Sequence, residues 1–525
     1  MQSTKVFLAA MIFVLLPVSL CAQATLPEIF RDHMVLQRDQ PIPVWGKAAA
    51  GAAVRVKLDA ATQKTTAASD GSWRVKLPSH VFGGPFLLTV TAGKDSTTLS
   101  DVMIGDVWLA SGQSNMAMVM RPEPPYTLGV LDYANEIANA NSTGVRAFIV
   151  PEEGDFPEQK EMHGSWHVAV GQQTCNVSAV AYYFARKVNM ATGIPIGIIT
   201  AAVGSTGIDS WLPMDINRKY QAANMAQTDK LLQDHAAEVA EYERLRPEWD
   251  LKAEAAANVC SGLPTPAHTQ PFPNFLFKRS ALYNSMIYPL QQMPIKGVIW
   301  YQGEADARYY AGYANKMREL VGSWRAGWKQ PEMPFYFVQL TNIAPEERQG
   351  LDFDPKDLNF TNQREQQRVA SLTIPNVGMA VTADVGDPMQ VHPRNKKAMG
   401  ERLALLALAH DYGQKIIANG PLYASMSVQE SQLRIKFEMQ GSTLRTKTGS
   451  NPYGFEIAGE DGVYHPALSA IEGADTVVLS SPLVKEPKNA RYAWHENPTM
   501  SVYNAEGLPA SGFSTETVIP KAAAQ

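Results

Sequence analysis

Cysteine is scarce here, with three residues in a chain of 525. So few thiols exclude a scaffold built on disulfides, and no run of cysteines or histidines has the spacing of a zinc site. No metal or organic cofactor is expected. Charge of one sign is missing too. The formal net charge is −5, 18% of residues are charged, and no long basic run offers a footprint for nucleic acid. No apolar stretch reaches the roughly 18 residues that a membrane-spanning helix requires. The G-x-S-x-G elbow of the α/β-hydrolases occurs nowhere. What is present is an ordinary globular composition, 45% hydrophobic, over a length that suggests roughly three or four folding units.

Residues 1–24 look like a targeting segment. Lys5 supplies the positive end, Val6 to Leu20 the apolar stretch, and Ala22-Gln23-Ala24 an A-x-A cleavage site. The mature protein is therefore expected to be exported, to the periplasm or beyond. Cys21 offers a lipid anchor as the alternative, but Leu20 stands before it where a small residue is expected. The mature chain keeps Cys175 and Cys260, which can pair in an oxidising compartment or stay as buried thiols.

Patterning divides the rest. Residues 25–104 alternate apolar and polar in short runs, as in Val54 to Leu58 and Trp73 to Leu77, with turn signals such as Asp70-Gly71 between them. That is the signature of a small antiparallel sandwich. From 105 to 420, continuous apolar runs alternate with helical patterns: Val107–Ala110, Val145–Val150, Ile196–Ala202, Gly297–Tyr301, Phe335–Leu340 and Val377–Ala383. Runs of this kind predict βαβ units around a mainly parallel sheet covered on both faces, an α/β fold of three layers. A helical insertion is expected at about 215–280. A helix follows His392, with Pro393 suited to its first turn. Alternation returns over 421–525, a second β-rich unit.

The chemistry gathers at strand ends. Val107 to Met116 reads V-W-L-A-S-G-Q-S-N-M, an apolar run stopping at Gly112 with Ser114 just beyond. Open α/β sheets form their ligand crevices at the carboxyl ends of strands, so Ser114 is the candidate nucleophile. It needs a base and oxyanion donors. Of ten histidines, His33, His80, His268 and His495 fall in β units or loops, and His235 and His410 on helical runs. His392 follows the last strong strand of the α/β region and is the candidate base. Gly204, after Ile196–Ala202, offers a main-chain N–H at the same edge, and Gln302, after Gly297–Tyr301, offers an amide. Glu304 suits a structural anchor as well as a site residue, since a buried carboxylate must be paired. Asn115 and Trp211 are candidate sugar contacts, although a large aromatic more often packs in the core.

At these residues the chain resembles the sialate O-acetylesterases, within the SGNH-type esterases. G-Q-S-N-M at Gly112 to Met116, V-G-S-T-G-I-D-S-W at Val203 to Trp211, W-Y-Q-G-E at Trp300 to Glu304 and V-H-P-R-N-K at Val391 to Lys396 match the family's blocks. Phe30 to Arg38, Val44 to Gly46, Arg491 to Pro498 and Glu506 to Ala510 match it outside them. The resemblance implies an SGNH-like α/β/α domain, Ser114 as nucleophile, His392 as base, and an oxyanion hole from the Ser114 and Gly204 N–H groups with the Gln302 amide. Asp306 stands where many relatives have Asn. It further implies removal of acetyl groups from O-acetylated sialic acids, the 9-position foremost, ahead of a sialidase. An acetylesterase for another glycan such as acetyl-xylan, and a glycan-binding protein without catalysis, are the alternatives.

One family feature is missing. Where many SGNH esterases have an aspartate three residues before the histidine, this chain has Met389. Asp387 and Asp384 reach the ring only if the loop curls. A dyad oriented by a main-chain carbonyl within Met389–Val391 is the favoured expectation, because what the base needs is an oriented neutral tautomer.

Overall fold

The computed structural model describes residues 24–124, 126–152, 158–220, 241, 244, 280–344 and 358–519. Nearly all of the signal segment, Cys21, Cys260 and most of the 215–280 insertion lie outside the described residues. The expected three-layer α/β/α arrangement is what the chain adopts. The N-terminal strands are β1 (Val35–Gln37), β2 (Ile42–Lys47), β3 (Ala53–Leu58), β4 (Ala61–Thr66), β5 (Ser72–Leu77) and β6 (Gly83–Ala92). They lead into β7 (Asp95–Gly112), followed by β8 (Asn141–Ile149), β9 (Ser165–Val170), β10 (Ile196–Ala202), β11 (Gly297–Tyr301), β12 (Phe335–Val338) and β13 (Val377–Ala380).

The central order is β13-β12-β11-β7-β10-β8-β9. Every pairing along it is parallel except β8 with β9. Side chains alternate between two cores. Leu109, Ile199, Val298 and Phe335 face one, with α4 (Tyr313–Trp328) and α5 (Asn359–Thr373). Trp108, Ile198, Ile299 and Tyr336 face the other, against α3 (Ala179–Thr192) and α6 (Lys396–His410). Burial on both sides is why these strands read as unbroken apolar runs. Ser178 caps α3, its side chain accepting from Ala181 N.

Strand β7 joins two units. Its first half pairs antiparallel with β6, and its second half runs parallel between β10 and β11. The boundary expected at 104/105 is thus a change of partner along one strand. The junction is bolted by buried Asp106: Gln37 Nε2 donates at 2.9 Å, Arg38 Nε at 3.0 Å and Arg38 Nη2 at 3.1 Å. That explains the Phe30 to Arg38 motif as a structural one.

The C-terminal unit has its own core around Leu433, Ile435, Ile457, Tyr492 and Phe513. Its Arg491 to Pro498 motif docks it on the α/β domain. Buried Glu496 accepts from Phe360 N at 3.3 Å and Thr361 N at 3.0 Å, capping α5. Cys175 is disulfide-bonded. Among the described residues no helix is long and apolar enough to cross a membrane.

Candidate active site

Strand β7 ends where only glycine fits. Gly112 has φ +138°, and a Cβ there would stand 2.1 Å from Tyr301 O on neighbouring β11. The chain turns at Gln113, and Ser114 begins the short helix α1 (Ser114–Ala117), half-buried at the open edge of the sheet. Gly112→Ala is expected to destabilise the fold by about 3 kcal/mol or more, from backbone strain and a main-chain clash together. A thermal unfolding midpoint equal to wild type would refute the close approach.

His392 arrives from the loop before α6. Its Nε2 lies 2.8 Å from Ser114 Oγ. The ring is partly open to solvent, as is Gly204 at the end of β10. Pro393 does not start the helix as expected. Asn395 is the N-cap, its side chain accepting from Ala398 N at 3.3 Å, and α6 begins at Lys396. A side-chain oxygen that satisfies a free helix N–H outweighs the φ preference of a proline two residues earlier.

The two candidate acids, the less favoured reading, do not orient this ring. Asp384 makes a two-pronged ion pair with Arg402, at 2.5 and 2.8 Å. Asp387 closes its own turn, accepting from Met389 N at 2.9 Å. A main-chain group does bond the imidazole, but it belongs to Tyr126, not to Met389–Val391. It favours the protonated ring, as a carbonyl acceptor does. The Val391 carbonyl is taken by Asn115 Nδ2 at 3.0 Å. Burial, then the nearby Lys396 charge, holds the His392 pKa below the ordinary imidazole value, the Tyr126 carbonyl opposing. A ring kept neutral is fit to accept a proton.

Gly204 faces the nucleophile. A Cβ there would meet only Ser114 Cβ, at 3.6 Å. Among the described residues, neither the Ser114 nor the Gly204 N–H donates to a main-chain carbonyl. Gln302 differs from its expected role as a third donor. It is fully buried, and its amide hydrogens go to Asp306 Oδ2 at 2.6 Å and Thr206 O at 3.1 Å, while Oε1 accepts from Tyr313 OH at 2.8 Å. With both N–H groups spent, Gln302 holds the Gly204 loop in place and has none left for an oxyanion. Asp306 is its partner in this, also accepting from Ile208 N at 2.8 Å, and burial pushes its pKa up to about 6.

Trp211 and Asn115 are not sugar contacts, since both are fully buried. Trp211 Nε1 donates to Thr206 Oγ1 at 3.1 Å, and its ring packs edge-on against Trp300. Asn115 Nδ2 reaches Glu304 Oε1 at 2.5 Å as well as Val391 O. Glu304 is an anchor on that side, its pKa raised by burial. Three residues escaped notice in the sequence. Lys396 closes the histidine block and donates to Asn115 Oδ1. Gln113 Oε1 accepts from Gly303 N and Ala305 N, each at 3.3 Å, tying the serine block to the Gln302 block. Tyr126 carries no sequence signal for its main-chain contact. Among the described residues, no three His, Cys, Asp or Glu side chains converge to hold a metal ion.

A serine against an imidazole, with a glycine N–H beside them, is the equipment of a hydrolase acting through a covalent intermediate. The sequence profile of the family described as carbohydrate esterase, sialic acid-specific acetylesterase, matches residues 104–239 and 269–409, more than half of the chain. The chain belongs to that family. This esterase is 30% identical to the sialate O-acetylesterase of Mus musculus over 425 residues, 74% of either chain. It is equally identical, 30%, to the sialate O-acetylesterase of Rattus norvegicus over 429 residues, again 74% of each. Among solved structures the esterase is similar to a carbohydrate acetylesterase from Xanthomonas citri, with 32% identity and a TM-score of 0.78 over 94% of this chain and 100% of that one. The Ser114 and His392 blocks of the esterase both lie within the matched family segments.

Proposed function

We propose that this esterase removes O-acetyl groups from sialic acids, the 9-O-acetyl group foremost, through an acetyl-enzyme on Ser114. The observation that carries this reading is the 2.8 Å approach of His392 Nε2 to Ser114 Oγ, within a chain of the acetylesterase family. Ser114 Oγ adds to the acetyl carbonyl as His392 takes its proton, and the Ser114 and Gly204 N–H groups bond the oxyanion. Collapse breaks the bond to the sugar oxygen, which leaves with the proton from His392. Water then adds to acetyl-Ser114, giving a proton to His392. Acetate departs as that proton returns to Oγ. The scheme calls for no metal or organic cofactor.

The sialic acid substrate follows the names of the mouse and rat relatives. The Xanthomonas citri structure, described only as a carbohydrate acetylesterase, favours a second reading in which the acetylated glycan is different, such as xylan. A substrate panel separates them. Acetate release from mono- and di-O-acetylated sialic acids, well above that from acetyl-xylan, is the expected outcome. Release from acetyl-xylan alone would overturn the sialic acid reading. The leader at residues 1–24 supports export, where deacetylation would prepare sialoglycans for a sialidase.

A further inference from the structure

We propose that Lys396 is a positioning residue of this esterase: it locks the Asn115 amide between the nucleophile turn and the histidine loop. The inference rests on the Ser114–His392 reading of the site.

Lys396 is fully buried. Among the described residues its ammonium has no carboxylate within ion-pair distance. It donates to Asn115 Oδ1 and sits 5.2 Å from the centre of the Tyr301 ring. Burying an ammonium without a contact ion pair is costly, and an apolar side chain of similar size would fill the space more favourably. Its position explains what it does there. Asn115 adjoins Ser114, and its Nδ2 donates to Glu304 Oε1 and to the carbonyl of Val391, the residue before His392. One amide therefore spans nucleophile and base. A primary amide can turn over and exchange its donor and acceptor ends, which here would set Oδ1 against two acceptors. An ammonium has only donors, so Lys396 allows Asn115 a single orientation.

The charge acts on the ring as well. Arg394 is spent on the Gly129 and Val130 carbonyls, Arg402 on Asp384, and Arg121 on Glu123. Glu304 faces Asn115, Asp306 behind it faces Gln302 and Ile208, and Asp387 closes its own turn. Burial, resisted by Glu304, brings the Lys396 pKa down to about 7. The lysine thus carries charge below about 7, the range in which an ordinary imidazole takes up its proton.

The test compares wild type, Lys396→Met, Asn115→Ala and the double variant on a chromogenic acetyl ester, with Ser114→Ala as control. Lys396→Met is expected to unfold at the wild-type temperature or above it. Its kcat should fall about ten- to a hundredfold with KM nearly unchanged, and the acid limb of kcat/KM should move up by about half a pH unit or more. Asn115→Ala should lose kcat similarly, and the double variant should be no more than about threefold worse than the poorer single, as members of one network are non-additive. An unmoved acid limb, additive losses, or a Lys396→Met protein without a cooperative unfolding transition would each overturn the proposal. Should Ser114→Ala stay active, the dyad reading itself fails. Should Ser114→Ala be inactive while Lys396→Met titrates like wild type, only the lysine inference fails.

Discussion

Ser114→Ala should lower kcat on an acetyl ester by on the order of 10⁴- to 10⁶-fold, with KM changed little. The size follows from what the methyl group cannot do. Without Oγ no acetyl-enzyme forms, and His392 loses the proton it is 2.8 Å from receiving. The N–H groups of Ser114 and Gly204 survive the substitution, so a residual rate above water is expected from oxyanion binding alone. Folding should be unaffected, because Ser114 is half-buried at an open edge and its hydroxyl supports no other element. Circular dichroism and unfolding midpoint check that part, and single-turnover acetate release checks the rest. A loss of less than about a hundredfold would point to direct attack by water.

His392→Ala should lose nearly as much, whereas Asp387→Ala should stay within about threefold of wild type, since residues of one catalytic unit fail together and outside residues do not. Asp387 holds Met389 N in its own turn, and Asp384 is held by Arg402, so neither is available to the ring. The sign of the pH dependence follows. The base works as neutral imidazole, so kcat/KM is full above the His392 pKa and is lost as pH falls through it. Because burial and Lys396 depress that pKa, the acid limb should lie below the ordinary imidazole value of about 6.5. Asp387→Ala should leave the limb where it is. An acid limb near 7, or an Asp387→Ala loss matching His392→Ala, would put a carboxylate back beside the histidine.

Much of this was legible in the sequence, for definite reasons. Ser114 and Gly204 lie just past apolar runs that stop abruptly, and in a parallel sheet such ends share one edge. The strands themselves were visible because both faces are buried. Gln302 misled because sequence displays a side chain's donors but not who takes them. Asp306, four residues on, and Thr206, on another strand's loop, consume both of its N–H groups. Trp211 and Asn115 likewise face inward, a matter of orientation that spacing alone does not reveal. The histidine's orienting group was hidden more deeply, since a main-chain carbonyl has no residue type, and Tyr126 meets His392 only through tertiary folding. The pattern changes from alternating to continuous at 104/105, which reads as a boundary between two units. In space β7 crosses it unbroken, exchanging one exposed face for two buried ones.

The most direct test is to treat the enzyme with a fluorophosphonate, follow inactivation, and map the adduct by peptide mass spectrometry. One adduct is predicted, on the peptide carrying Ser114. It should form in step with loss of acetate release, be slowed strongly in His392→Ala and be absent in Ser114→Ala. Inactivation with the label on another residue, or an active enzyme whose Ser114 stays unlabelled, would contradict the serine–histidine site.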